Sequence, residues 1–338
     1  MAGERDRKAI GALAAGCLLA LLDGDGSGHV MKASSLLTLG DRDKRSVPTV
    51  DTLHPSSHAV ASQEKGWKTD DAALAREVER LLIEYSFGWE GYVEWVIDRP
   101  EVTARWNGYS GFAGCLRFDV AESGRYLSAL LQGIERGKRT YTWVLNPDAT
   151  PPDVINLMQT LGYSQVAQWD GLVLDDLSAN PGLRPGVTVE SLCKENALAY
   201  CDFLRLLSDE RMSRLEALAC VQRYLQIDPK EAQIWLARVG SQAAGFAVLR
   251  IEPHGFAYLR QAATLPEFRN QGVYLSLLSH RLSIAREMGC TAALVQAMTA
   301  TSAPILRKRG FRKVCSLIGY ARTAPAAAKS DNRKTNML

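Results

Sequence analysis

Three features are scarce in this 338-residue sequence: paired cysteines, histidines and an excess of one charge. The seven cysteines are scattered and none stands at CxxC spacing, which excludes a disulfide framework and a zinc–cysteine site. The five histidines form no metal-ligand pattern, so we expect no metal. The 40 basic and 37 acidic residues leave a net charge of only +3, and we therefore expect no nucleic-acid partner.

The sequence also lacks a hydrophobic run long enough to span a bilayer. The apolar stretch 9–22 follows Arg5, Arg7 and Lys8 and has the length of a signal peptide rather than of a membrane span. We expect no membrane association, and export or anchoring through this stretch remains the alternative. The polar composition up to residue 68 predicts a disordered N-terminal extension over 1–68, and residues 324–338 predict a flexible tail.

Hydrophobic residues make up 46% of the chain, enough for about two domains with real cores. In the first part, the apolar stripe after Thr69-Asp70-Asp71 predicts a helix through Tyr85. Further patterns predict a strand pair at 102–108 and 112–119, a helix over Tyr126–Ile134, a strand at 140–145 and a helix at 153–161.

The segment Asn180–Gly186 is rich in proline and glycine and predicts a linker. After it, apolar periodicity predicts a strand, two helices and three strands, then a turn, and finally helix, strand, helix and strand. The predicted elements cover residues 187–192, 195–207, 213–226, 232–239, 243–251 and 255–264, then a helix from 273, a strand at 291–297, a short helix in 301–311 and a last strand to 322.

The turn between the third of these strands and the helix is the most informative segment. A strand that ends at Thr264 and a helix that begins at Val273 present unpaired backbone N–H groups to an anion. Arg269 supplies a cation, and Gly272 lacks a Cβ that would keep a ligand from the backbone. The turn therefore suits a pyrophosphate.

Arg269-x-x-Gly272, after Leu265-Pro266-Glu267, resembles the acyl-CoA loop of the GNAT superfamily of N-acetyltransferases, whose consensus is Arg/Gln-x-x-Gly-x-Gly/Ala. The last consensus position is Tyr274 here. A second resemblance lies in Thr301–Phe311, which is similar to the short helix of the family that ends in Gly-Phe. The two signatures stand in the family's order and at its spacing.

The resemblance implies an α/β (α+β) fold of tandem GNAT-like domains, each with a mixed, mostly antiparallel central sheet flanked by helices. Residues 69–180 are then a degenerate GNAT-like domain, because no such loop follows a strand in 70–178. Residues 186–323 are the acyl-CoA-binding domain.

The implied function is an acyl-CoA-dependent N-acyltransferase (EC 2.3.1.-) that transfers acetyl from acetyl-CoA to a primary amine of a small molecule or protein. Acetyl-CoA as cofactor implies a cytoplasmic protein, while the sequence specifies no oligomeric state. A non-catalytic acyl-CoA-binding or sensing protein, and a tandem that binds no cofactor, are the alternatives. The implied cofactor-binding residues are Ala263, Thr264, Leu265, Arg269, Asn270, Gln271, Gly272, Val273 and Tyr274.

The proton chemistry departs from the family pattern. Leu306 stands where many members carry an acid tyrosine, and Thr299 stands where an asparagine is frequent. Candidates for acid or base are Tyr320, Tyr274 and Glu267, without a definite assignment. Gln296, at the end of a strand, either binds substrate or only closes that strand.

Overall fold

The computed structural model describes residues 70–84, 94–99, 102–106, 111–114, 141–147, 152–178, 182–208 and 212–322. The predicted extension 1–68, the predicted helix at 126–134 and the predicted tail from 324 lie outside these residues. Among the described helices, none combines the length and apolar character that crossing a membrane requires.

The described residues contain six α-helices and eleven strands. The helices are α1 (Asp71–Glu84), α2 (Pro152–Thr160), α3 (Ala197–Leu207), α4 (Arg214–Tyr224), α5 (Val273–Glu287) and α6 (Ser302–Arg307). The strands are β1 (Glu94–Arg99), β2 (Val102–Trp106), β3 (Gly111–Gly114), β4 (Tyr141–Leu145), β5 (Ser164–Leu174), β6 (Val187–Ser191), β7 (Ala232–Val239), β8 (Gln242–Ile251), β9 (Phe256–Thr264), β10 (Ala292–Met298) and β11 (Arg312–Ala321).

Local sequence accounts for where the helices begin. Asp70 caps α1, since its Oδ1 accepts a hydrogen bond from Ala73 N at 2.6 Å. Ser213 and Glu216 form a reciprocal capping box at the start of α4. Each helix then buries an apolar face against the sheet, as Val78 and Leu81 do in α1.

All described strands join one sheet in the order β1-β2-β3-β4-β11-β5-β10-β9-β8-β7-β6. The pairs β3–β4 and β9–β10 are parallel, and the other described pairs are antiparallel. This confirms the predicted mixed, mostly antiparallel sheet with flanking helices. The order β4–α2–β5 in the first part repeats as β10–α6–β11 in the second.

The last strand of each part lies beside strands of the other part. β5 pairs with β10 over Leu174 to Trp169, and β11 pairs with both β4 and β5. The two parts therefore exchange their final strands within one continuous sheet.

β5 is long and central, yet its sequence did not predict a strand. Asp170 and Gly171 interrupt its apolar pattern, yet Asp170 is fully buried. Its carboxylate is bonded by Arg307, by Lys313 Nζ at 2.9 Å and by Thr299 Oγ1 at 3.3 Å, all from the second part of the chain. Partners more than a hundred residues away make the buried charge tolerable, and no local pattern reveals them.

Helices cover both faces of the sheet around β8 and β9. Phe246 and Val248 of β8 pack against α3 and α4, whereas Ala247 and Leu249 pack against Leu277 and other residues of α5. α1 covers Tyr258 and Leu294 on the neighbouring strands. Helices thus lie on both faces of the sheet where β8, β9 and β10 run side by side.

Candidate functional site

The predicted anion-binding turn has the expected geometry. β9 ends at Thr264, a 3-10 turn covers Pro266–Phe268, and α5 begins at Val273. Asn270 and Gly272 both have left-handed backbone conformations, with φ of 64° and 83°. Ser276 N donates to Gly272 O at 2.9 Å, the first bond of α5.

Consequently the first turn of α5 offers backbone donors. Among the described residues, no backbone carbonyl accepts from the N–H groups of Val273, Tyr274 or Leu275. Unpaired N–H groups at a helix N-terminus carry partial positive charge and bind anions. The turn therefore presents the backbone donors that an anion such as a phosphate group requires.

A groove leads away from this turn, between β9 and β10. The two strands pair only from Phe256 to Tyr258, opposite Ala292 to Leu294. Beyond that point β10 continues along β5 and β9 continues along β8. Phe256–Arg260 are buried, whereas Gln261–Thr264 are accessible to different degrees although β9 is an interior strand. This end of β9 is accessible because β10 no longer pairs with it.

A β-bulge shapes the floor of the groove. The register of β8 and β9 shifts between Ala247–Ala262 and Val248–Arg260, so Gln261 has no opposite residue. Gln261 also has a φ of 33°, which is strained for a side chain other than glycine. Its Oε1 accepts a hydrogen bond from Tyr224 Oη of α4 at 2.9 Å. A bulge of this kind redirects backbone groups out of the ladder.

One buried polar atom beside the groove has no partner. Thr264 Oγ1 is buried and makes no hydrogen bond among the described residues. Leu265 N donates to Ala244 O of β8 at 3.0 Å, so by strand alternation the backbone groups of Thr264 face β10. Thr264 is therefore the residue of this segment whose polar groups suit an extended polar ligand in the groove.

Arg184, from the linker before β6, reaches the same turn. Arg184 N donates to Ser276 Oγ at 3.1 Å. A Cβ built on Gly272 would lie 2.5 Å from Arg184 Cγ and 2.8 Å from its Cβ. Gly272 was predicted to let a ligand approach the backbone. Its missing Cβ also leaves space for the aliphatic part of the Arg184 side chain. The proline- and glycine-rich pattern of 180–186 predicted only a linker, and no signal in the sequence pointed to this contact.

The structure brings most predicted site residues together. Ala263–Leu265, Arg269–Tyr274 and the acid–base candidate Glu267 all lie at the groove end or in the turn. Glu267 is exposed, and its carbonyl accepts from Gln271 Nε2 at 2.9 Å. Tyr320 does not join them: it pairs with Trp143 and Gln165 and packs in the core beside α2.

Tyr274 points into the protein from the first turn of α5. It packs against the core that includes Leu277, and burial raises the pKa of its hydroxyl, an effect that the charge of Arg281 opposes. A phenol with a raised pKa stays protonated near neutral pH and gives up its proton less readily than an exposed tyrosine, so Tyr274 is a poor candidate for either acid or base. Tyr274 thus packs against the core at the position where the family consensus has a glycine or alanine.

Gln296 and Leu306, on the β10 side, have structural contacts. Gln296 Oε1 accepts from Tyr258 Oη at 2.6 Å, and its Nε2 donates to Val78 O of α1. These bonds favour the second of the two roles predicted for Gln296, in which it only closes its strand and does not bind substrate. Leu306 is fully buried in the core beneath α5 and α6.

Strands that part beside a helix N-terminus with unpaired backbone donors are the arrangement that the resemblance implies. Residues 199–311 match the model of the Acetyltransferase (GNAT) family. The sequence likeness to this family therefore covers residues 199–311, within the second part of the chain. No curated protein matches the sequence.

Solved structures support the fold over a larger share of the chain. A GCN5-related N-acetyltransferase from Kribbella flavida is 17% identical, with a TM-score of 0.54 over 75% of this chain and 97% of that chain. A GCN5-related N-acetyltransferase from Sphaerobacter thermophilus is 16% identical, with a TM-score of 0.51 over 65% and 76%. A functionally unknown conserved protein from Staphylococcus epidermidis ATCC 12228 is 11% identical, with a TM-score of 0.51 over 68% and 93%. At these identities the likeness concerns the fold alone.

Proposed function

We propose that this chain is an N-acyltransferase that transfers acetyl from acetyl-CoA to a primary amine of a small molecule or a protein. The observation that carries the proposal is the groove between β9 and β10, which ends at the donor-rich first turn of α5. The match of residues 199–311 to the GNAT family supports the same reaction class.

The residues present fit acetyl-CoA at this site. The N–H groups of Val273, Tyr274 and Leu275 would hold the pyrophosphate, with Arg269 and Arg184 as exposed cations nearby. Thr264, with its unpartnered Oγ1 and its backbone facing β10, would pair with the amides of the pantetheine arm. The remaining predicted contacts are Ala263, Leu265, Asn270, Gln271 and Gly272.

Acetyl-CoA, when bound, supplies an acyl group activated as a thioester. The protein supplies alignment, because the groove fixes one reactant relative to the other and excludes part of the water. The bulge at Gln261 lies three residues before Thr264, roughly 10 Å along the strand. Backbone groups redirected there would polarise the thioester carbonyl.

We propose further that the first part of the chain, 69–180, is a degenerate domain without a cofactor site, and that residues 186–323 carry the single site. The repeated order of strands and helices supports a tandem origin. The absence of an Arg-x-x-Gly-x-Gly/Ala turn after a strand in 70–178 of the sequence supports the loss of the site.

A second function has one specific observation in its favour. Leu306, fully buried, occupies the position where the family resemblance places an acid tyrosine. An apolar side chain there donates no proton to a leaving thiolate. The second candidate is therefore an acyl-CoA-binding or sensing protein without turnover.

Release of free thiol from acetyl-CoA distinguishes the two. The full chain is incubated with acetyl-CoA and a panel of amino acids, polyamines, amino sugars and lysine peptides, and thiol is followed with a chromogenic disulfide. We expect at least one amine to raise the release rate above that of the Gly272→Val variant. Saturable acetyl-CoA binding with no amine-dependent release across the panel would support the sensor instead.

A further inference from the structure

Arg281 carries a positive charge within the apolar interior of the protein. It lies in the middle of α5, on the face that packs against the sheet, and is 1% exposed. Its neighbours on that face are Leu277, Leu278, Leu282 and Ala285, all buried in the same apolar core. Burial of a guanidinium costs several kcal/mol unless it is fully bonded, on the order of the total stability of a small domain. A leucine at this position would be the simpler core residue.

The partners of Arg281 show what the charge does. Nη1 donates to Val248 O at 3.2 Å and to Arg260 O at 3.3 Å, and Nε donates to Leu277 O at 3.3 Å. Val248 and Arg260 face each other across β8 and β9 on one side of the register shift. The guanidinium therefore binds both strands at the bulge, through carbonyl oxygens rather than through a carboxylate.

The bulge is held from its other face as well. Tyr224 of α4 donates to the Gln261 side chain at 2.9 Å. The left-handed φ of Gln261 costs about 1–3 kcal/mol and persists only where surrounding contacts fix it. Arg281 and Tyr224 supply such contacts from opposite sides of the sheet.

We propose that Arg281 is a positioning residue for acyl transfer: it fixes the β8–β9 bulge so that backbone donors at Gln261 face the thioester carbonyl. The inference rests on the proposed function of the groove. The positive charge also lies directly behind the bulge, in a medium of low dielectric, where it favours negative charge on the carbonyl oxygen.

The charge state of Arg281 is compatible with this role. Burial lowers its pKa to about 10, and the neighbouring Tyr274 opposes that shift. The guanidinium consequently stays protonated around neutral pH. Tyr274 and Arg281 are two helical turns apart on α5 and therefore lie on the same side of the helix. Tyr274 is the residue that stands where the family consensus has a glycine or alanine.

The test uses the full chain and acetyl-CoA carrying ¹³C at the acetyl carbonyl. Isotope-edited infrared spectroscopy measures the carbonyl stretch of the bound thioester, which falls as hydrogen bonding to the oxygen strengthens. The variants are Arg281→Lys, Arg281→Gln and Arg281→Met. Arg286→Met makes the same chemical change at an exposed position of the same helix and serves as the control.

We expect the lowest stretching frequency in the wild type and in Arg286→Met, a higher one in Arg281→Lys and in Arg281→Gln, and the highest in Arg281→Met. Acetyl-CoA affinity should change by less than about threefold, because the turn that anchors the pyrophosphate is unaltered, while thiol release to an accepted amine slows by roughly tenfold or more in Arg281→Met. Arg281→Gln, which keeps a donor, decides the question if Arg281→Met does not fold.

Equal frequencies in the wild type and any folded Gln or Met variant, with acetyl-CoA bound, overturn the proposal and leave the proposed function intact. Failure of the folded wild type to bind acetyl-CoA in calorimetry overturns both. The frequency order given above supports the proposal, since a merely structural residue would change the melting temperature but not the carbonyl stretch.

Discussion

Arg184 lies against Gly272, so that a Cβ on the glycine would fall 2.5 Å from Arg184 Cγ. The contact joins the segment between the two parts of the chain to the turn that starts α5. Because Arg184 N is also bonded to Ser276 Oγ at 3.1 Å, the backbone of the arginine is fixed and its side chain cannot simply move aside. The conformation of this turn therefore depends on the linker as well as on its own sequence.

Gly272→Ala should weaken acetyl-CoA binding at least tenfold. The left-handed conformation of Gly272 costs a non-glycine residue about 1–2 kcal/mol, and the new Cβ also displaces Arg184. Isothermal titration measures the affinity. Gly240→Ala is the matched control, because Gly240 has a φ of +60° but nothing within 4 Å of its Cβ position. Unchanged affinity in Gly272→Ala would place the cofactor elsewhere.

Arg184→Ala should lower acetyl-CoA affinity about three- to tenfold through the loss of one cation near the turn, roughly 1 kcal/mol. Arg184→Glu should lower it further, and both effects should diminish in high salt because the arginine is exposed. Titrations at two salt concentrations provide the measurement. Arg286→Ala, on the exposed far end of α5, should leave the affinity unchanged. An Arg184 variant that binds like the wild type at low salt would remove this residue from the site.

Asp170→Asn should destabilise the fold by about 1–3 kcal/mol, because the fully buried side chain loses its charge-assisted bonds from Arg307 and Lys313, whose own side chains stay 47% and 37% exposed to water. Asp175→Asn breaks an ion pair with Arg312 whose two side chains are 57% and 38% exposed, and should cost about 0–1 kcal/mol. Urea denaturation of both variants gives the comparison. Equal losses would show that the buried pairing between the exchanged strand β5 and the second part contributes little.

Stability should fall as the pH drops below about 6.5, in part through His280. Its ring packs edge-on against Trp235, with ring centroids 5.0 Å apart, and burial lowers its pKa below 6.5 although Glu287 opposes the shift. Below pH 6.5 His280 is protonated in the unfolded chain but remains neutral in the folded chain. The free energy of unfolding therefore decreases as the pH falls from 6.5 to the folded pKa of His280, and it decreases no further through this residue below that value. The free energy of unfolding at pH 7.5 and 5.5 should differ more for the wild type than for His280→Phe. The same difference in both proteins would contradict the assignment.

Elements with a strong local pattern were predicted correctly from sequence. The turn at Arg269–Tyr274 and helices such as α4 depend on nearby caps, glycines and apolar spacing. β5 was missed because the partners of Asp170 come from α6 and β11, far along the chain. The exchange of final strands was missed for the same reason, since it depends on pairing between distant segments.

The candidate site likewise contains parts that the sequence predicts and parts that it does not. Its donor-rich turn follows from a short motif, whereas Arg184 and Arg281 form hydrogen bonds with residues 92 and 33 positions away in the chain. The bulge at Gln261 arises from register between strands and has no signature in a single sequence. Tertiary contacts of this kind decide which side chains reach a ligand.

The most direct test of the account is the stoichiometry of acetyl-CoA binding to the full chain, measured by isothermal titration. The account predicts saturable binding of one acetyl-CoA per chain, with a dissociation constant of about 1 μM to 1 mM, lost or greatly weakened in Gly272→Val. Two molecules per chain would contradict the assignment of a single site. No binding by the folded protein would contradict the acyl-CoA function itself.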